Sequence, residues 1–383
     1  MSAVDPRRLA WAYLSQVVQG PCAPLNDLID AVGVEEAARA VRERELPPAL
    51  SRRTEARRHI DTAHEDLDRV AQLGGRLVTP DDDEWPAWRM LAFAGVDVER
   101  DKDGAAPLAL WVLGQGSLTE LTERAVGVVG TRAASSYGVH VTTDLVGELA
   151  AQGFAIVSGG AFGIDSAAHR AALAVDGVSI AVLACGIERA YPSTHDRLLR
   201  EIARTGLVVS EYGPGVAPAR YRFLSRNRLV AALSDAVVVV EAGVRSGARN
   251  TVKWARRLGR PTLALPGSVL SVESMGCHRM IREGEARLVT CASEVVDEAG
   301  PLRLPMTADD PGDRATDGLI GDQLLVYEAL PAIGSRTPRE LSETSGVPMA
   351  GVRSALPLLE LAGAVGSDES GWFRLRKSDR QRR

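Results

Sequence analysis

Aromatic residues make up only 4% of this chain, and cysteine occurs four times in 383 residues. Cys22, Cys185, Cys277 and Cys291 stand far apart and form no Cys-x-x-Cys pair. Zinc sites and disulfide frameworks need closer spacing, so reduced thiols are expected. No apolar run reaches the ~18 residues of a spanning helix, and the N-terminus lacks the apolar core of a secretory signal. The expectation is a cytoplasmic protein with no membrane partner. Positive charge is not in excess either: 45 Lys and Arg stand against 50 Asp and Glu, a net charge of -5. Such a chain is no basic nucleic-acid coat, and contact with a polyanion requires a local patch.

What is present is a repeating pattern between residues 125 and 290. Short apolar runs at 126–129, 154–157, 179–183, 207–209, 236–240 and 262–265 alternate with amphipathic stretches of helical period. Runs that are apolar on both faces are strands covered by helices on each side. The expected fold class is therefore α/β, a doubly wound, Rossmann-like parallel sheet. The loops that follow the runs carry Gly130-Thr131-Arg132, Ser158-Gly159-Gly160, Glu211-Tyr212-Gly213, Glu241-Ala242-Gly243-Val244-Arg245-Ser246-Gly247 and Pro266-Gly267-Ser268. In an open parallel sheet these loops emerge on the carboxyl edge, where ligands bind. Arg132, Arg226, Arg228 and Arg245 add positive charge there. Backbone N–H groups at Gly159 and Gly160 suit phosphate, and Asn227 suits a base edge or a phosphate. Tyr221 and Phe223 offer stacking faces beside them. Gly-x-Gly-x-x-Gly is absent after the first run, and no acidic residue is placed to hold a ribose, so a dinucleotide site is disfavoured.

On either side of the sheet lie smaller expected parts. Residues 1–72 read as a helical domain of helix-hairpin-helix or sterile-alpha-motif type, serving either DNA backbone or packing and dimerisation. Within it, Ile60, Leu67 and Val70 are expected to face inward. The sheet domain spans 73–299, and its acidic run at 81–84 reads as a solvated turn. A Pro- and Asp-rich linker is expected at 300–320, a winged-helix domain at 321–376 and a basic tail at 377–383. The third helix of the winged-helix domain carries Arg353 beside Glu360, which leaves DNA and protein contact both open.

No catalytic constellation stands out. Asp165, Glu211, Asp235 and Glu241 fall one to a segment near the loop edge, whereas a two-metal hydrolase needs clustered carboxylates. Asp165 fits a helix cap, and His169 a local hydrogen bond. Ser158 has no evident His base. Cys277 and His278 are neighbours that point apart on a helix. No catalytic residue, metal or cofactor is expected. The basic helix around Lys253, Arg256 and Arg257 reads either as a solvated face or as a phosphate track.

The Gly130-Thr131-Arg132 turn, the Ser158-Gly159-Gly160-Ala161-Phe162-Gly163-Ile164-Asp165 run ending at His169, and Phe223-x-x-Arg226-Asn227-Arg228 occur in an ordered series. Glu241-Ala242-x-x-x-Ser246-Gly247 and Pro266-Gly267-Ser268 with Gly276-Cys277-His278 complete it. Over roughly residues 75–300 this series resembles the DNA-processing protein A (DprA/Smf) family. The resemblance implies a non-catalytic recombination mediator. Such a protein binds and protects incoming single-stranded DNA, loads the RecA recombinase during natural transformation and acts as a homodimer. It places DNA on Arg132, Phe223, Arg226, Asn227 and Arg228, beside the candidates Ser158, Gly159, Gly160, Arg245 and Ser246. Phe162 departs from the family's usual basic residue and offers a stacking face instead. The alternative is a nucleotide-binding enzyme of the lysine-decarboxylase-like, phosphoribohydrolase type, whose Pro-Gly-Gly-x-Gly-Thr arrangement this chain lacks. A third reading is a nucleotide-sensing regulator with the winged helix as output.

Overall fold

The valine-rich runs have no polar face to show to water, and they become the strands of one sheet. In chain order these are β1 (Gly75–Val78), β2 (Leu110–Leu113), β3 (Ala125–Val129), β4 (Ala155–Ser158), β5 (Ser179–Leu183), β6 (Leu207–Ser210), β7 (Ala236–Val239), β8 (Thr262–Ala264) and β9 (Arg287–Leu288). The sheet order is β1-β2-β6-β5-β4-β3-β7-β8-β9. From β6 across to β9 every neighbouring pair is parallel. β1 and β2 add an antiparallel edge. The exposed two-residue β9 has no signature in hydrophobic pattern. The strand order reverses at β3, which pairs with β4 on one side and β7 on the other. The structure is a computed structural model that describes residues 5–300, 319–331, 334–368 and 370–375.

Alternation along the strands assigns each helix to a face. Val126, Val128, Ile156 and Val238 pack against the helices Ser136–Ala151 and Ile164–Ala174. Val129, Val157, Val237 and Val239 pack against Arg220–Ala232 and Ala248–Arg257.

The chain divides into two compact units, Met1–Arg303 and Leu304–Arg383. The N-terminal helices belong to the first, which corrects the expectation of a separate domain at 1–72. Trp11, Tyr13, Leu14, Leu25 and Val41 share one core with Leu77, Leu108, Trp111 and Ile187. The acidic run is a turn with Asp81 and Asp83 exposed, as expected, and it also ties down the N-terminal helices. Asp81 accepts from Arg7 (2.8 Å) and from the Trp11 indole (2.8 Å), and Asp82 accepts from Arg8. Of the residues expected inside, Val70 is buried, but Ile60 is 44% exposed in the turn between the helices Pro48–Thr54 and Ala63–Gln72.

In the second unit the helices Asp322–Ala329, Pro338–Ser345 and Met349–Leu361 pack with the hairpin β10 (Val365–Asp368) and β11 (Gly371–Arg374). Val326, Leu341, Val352, Leu356 and Val365 form its core. Thr337 and Glu340 close a reciprocal cap at the second helix. Most of the linker expected at 300–320, and the tail at 377–383, lie outside the described residues.

Candidate nucleic-acid interface

All six strands from β3 to β8 deliver their following loops to one edge. At the reversal between β3 and β7, Gly130 has no room for a side chain: a Cβ would stand 2.5 Å from Ile164 and 2.8 Å from the Glu241 carbonyl. The Thr131 N–H donates to that carbonyl at 2.7 Å. The Glu241 carboxylate, 1% exposed, then turns onto the start of the helix Ser136–Ala151. It accepts the Ser135 N–H at 3.0 Å and the Ser135 hydroxyl at 2.5 Å. A helix N-terminus at this position is where such folds receive phosphate. Here the protein's own carboxylate fills it.

The second loop is also closed from beneath. Ser158 is fully buried and donates to the Val128 carbonyl at 2.6 Å. Arg226, 4% exposed, donates to the carbonyls of Gly159 (2.6 Å) and Val182. The buried Asp165 carboxylate accepts the Ala161 N–H at 3.4 Å. Burial pushes the Asp165 carboxyl up from its ordinary range against the pull of Arg226, and pulls the Arg226 guanidinium down. Gly159 is itself buried, so the amide expected to meet phosphate does not face solvent. Ser158, Gly159, Gly160 and Arg226 build the loop rather than face solvent.

Arg228 is corrected in the same way. Its side chain is 0% exposed, bonds Glu211 at 2.5 Å and lies 5.2 Å over the Phe93 ring. A guanidinium sealed in the core cannot neutralise a phosphate. Asn227 is half-buried and donates to the Asn250 side chain at 3.1 Å. Ser246 accepts the Ala248 N–H at 3.2 Å, at the start of the helix Ala248–Arg257.

What the edge leaves open is a row of aromatic rings with one arginine. Arg132 is exposed and stands 5.4 Å over the ring of half-buried Phe223. Phe223 lies 5.2 Å from Tyr191, itself 41% exposed. Phe162 is 48% exposed, its ring edge-on to His195 at 4.8 Å. Arg245 is exposed in the loop after β7. Tyr191 is absent from the sequence reading. Its signal was a Tyr-Pro pair in the loop after β5, on the edge where the other loops collect.

The remaining candidates resolve into structure. His169 is buried and shares a hydrogen bond with Ser179 at 2.7 Å; burial drives its pKa down to about 3. Burial pushes the Cys277 thiol up to about 12 and Cys185 up to about 11, far from a reactive thiolate. His278 turns to the backbone of Gly267. Within the basic stripe, Arg249 pairs with Glu283 and Glu285, and Arg257 with Asp101, while Lys253 and Arg256 stay exposed. Among the described residues no three His, Cys, Asp or Glu side chains converge on a point that suits a metal.

A family described as DNA recombination-mediator protein A matches residues 76–300. The chain is 49% identical over 374 residues to the putative DNA processing protein DprA of Mycobacterium tuberculosis, covering 97% of this chain and 96% of that protein. It is 38% identical over 281 residues to protein Smf of Escherichia coli, covering 72% and 74% of the two. The X-ray structure of DNA processing protein A from Streptococcus pneumoniae aligns with a TM-score of 0.63 at 31% identity, over 77% of this chain and 98% of that one. The family match spans more than half of the chain and the relatives align across most of it, and the chain belongs to the DNA recombination-mediator protein A family.

Proposed function

We propose that this protein, as a recombination mediator, holds single-stranded DNA along the carboxyl edge of its sheet and passes it to a RecA recombinase, working as a homodimer in the cytoplasm. The observation that carries the DNA reading is the open row of Arg132, Phe223, Tyr191 and Phe162. Single strands are held by cations along the backbone and by stacking of bases on aromatic faces, with little sequence preference. Arg245 extends the charge of this edge. Neither duplex DNA nor a mononucleotide has use for several separate stacking faces. The Glu241 carboxylate at the strand reversal weighs against a nucleotide hydrolase, because it stands where the nucleotide's phosphate would bind.

The second unit is read as a winged-helix domain that contacts protein. Its third helix, Met349–Leu361, offers Arg353 with Glu360 on the same element, a poor set for a phosphate-lined groove. Among the described residues no helix is long and apolar enough to cross a membrane. The test of the DNA reading is fluorescence anisotropy of labelled oligo-dT of about 20 nucleotides against duplex of equal length over a salt series. Tighter binding of the single strand supports it. Equal binding of both, or of neither at low salt, removes it.

A further inference from the structure

The helix Arg220–Ala232 opens with Tyr221, Arg222 and Phe223. Side chains two apart on a helix point to different flanks. Phe223 turns toward Arg132 and Tyr191 on the rim. Tyr221 is 63% exposed, and Arg222 stacks on it at 5.2 Å. Arg222 then lines a cleft of about 500 Å³ between the N-terminal helices and the loop at 214–217. The walls are tied together: Gln16 donates to the Pro214 carbonyl at 3.0 Å, and Arg222 to the Gln19 side chain at 3.0 Å. Arg57 and Arg69 face the same space. Arg69 is exposed, and Arg57 is anchored on the carbonyls of Val17 and Val18. Two carboxylates also line it. Asp66 is engaged by Gln16 and Thr62, and Glu65 lies exposed.

We infer that this cleft is a second stretch of the single-strand path, reached from the rim across the first turn of the helix Arg220–Ala232. Tyr221 stacks a base at the crossing, and Arg222, Arg57 and Arg69 meet the phosphates beyond it. The inference rests on the reading that the rim holds single-stranded DNA. It adds that the N-terminal helices form one wall of the binding site. The chemistry favours a polynucleotide over a small anion because an exposed ring, Tyr221, stacks with an arginine that lines the cleft, on the same helical turn that carries Phe223 to the rim.

The test uses the full chain and labelled oligo-dT of about six and about 20 nucleotides, the first sized for the rim alone. Tyr221→Ala is expected to weaken the long oligomer about ten-fold and leave the short one within about two-fold, while Tyr221→Phe keeps the wild-type affinity. Arg69→Gln is expected to lower the salt slope of the long oligomer by about one and leave that of the short one unchanged. Arg132→Ala weakens both lengths. Both cleft positions are exposed, so unchanged melting temperatures confirm that the variants fold. If Tyr221→Ala and Arg69→Gln leave the long oligomer untouched while Arg132→Ala still weakens it, the path ends at the rim and this inference is overturned, with the rim reading intact. If the wild type binds neither length, the rim reading fails and the cleft falls with it.

Discussion

Glu241 grips Ser135 twice, by the backbone N–H at 3.0 Å and by the hydroxyl at 2.5 Å. The loop after β7 thereby holds the first helix after β3, and the two halves of the doubly wound sheet are clasped at their reversal. The same contact fills the anion position of that helix with a charge the protein supplies itself.

Glu241→Ala should therefore cost stability and open an anion site. Losing hydrogen bonds to an ionised group costs about 1.5–3 kcal/mol each. A clear fall in melting temperature is expected, and inorganic phosphate should restore more of it in the variant than in wild type. Equal response of the two proteins to phosphate would show that the position is not an anion site.

Arg228 and Arg132 should separate under mutation. Arg228→Ala leaves Glu211 buried without its partner, and breaking a buried pair costs about 3–5 kcal/mol. The result is a destabilised fold whose remaining native fraction keeps the wild-type salt slope on single strands. Arg132→Ala should leave melting unchanged, weaken binding and lower the slope by about one. Thermal melts and anisotropy on both variants check this.

The rim aromatics give a third expectation. Tyr191→Ala and Phe223→Ala should each weaken oligo-dT by about 1–3 kcal/mol, the scale of a lost stacked base. Tyr191→Phe should retain the affinity. Phe223 is half-buried, so its variant is read only against a melting curve.

Acid sensitivity should trace in part to His169. Its pKa is about 3 in the fold against an ordinary 6.5. Below 6.5 the unfolded chain takes up a proton that the folded one refuses, so stability falls as pH drops from about 6.5 toward 3, and above 6.5 His169 contributes no pH dependence. The raised carboxyl of Asp165 acts with the opposite sign, its folded form holding a proton that the unfolded chain has released. The difference in unfolding free energy between wild type and His169→Asn isolates the histidine. It should change by about 1.4 kcal/mol per pH unit inside that window and be flat above it.

The strands β3 to β8 were legible because burial on both faces leaves a run of apolar residues that no other element needs. The position of the edge loops was legible for the same reason. The partition of the arginines among core and surface was not. Arg226, Arg228 and Arg132 are chemically identical in the sequence, and what separates them is a Glu211 seventeen positions from Arg228, carbonyls of β5 and of the loop after β4 around Arg226, and open solvent at Arg132. Tyr191 escaped notice because a single aromatic in a loop has no period. The basic stripe is uniform in sequence, and only the fold sets Glu283, Glu285 and Asp101 beside half of it.

The core that Trp11, Tyr13 and Leu14 share with Leu77 and Trp111 has a consequence for how such a protein can be shortened. A segment with a private interior can be cut away or exchanged, as one removes a bead from a string. This one leaves a wound. A chain begun at residue 73 would present the indole of Trp111 and the side chain of Leu77 to water, on the antiparallel edge of the sheet where another molecule can add itself. The first helices are thus less an appendage than the lid on an otherwise sticky margin, and shortened versions should be judged first by whether they stay in solution.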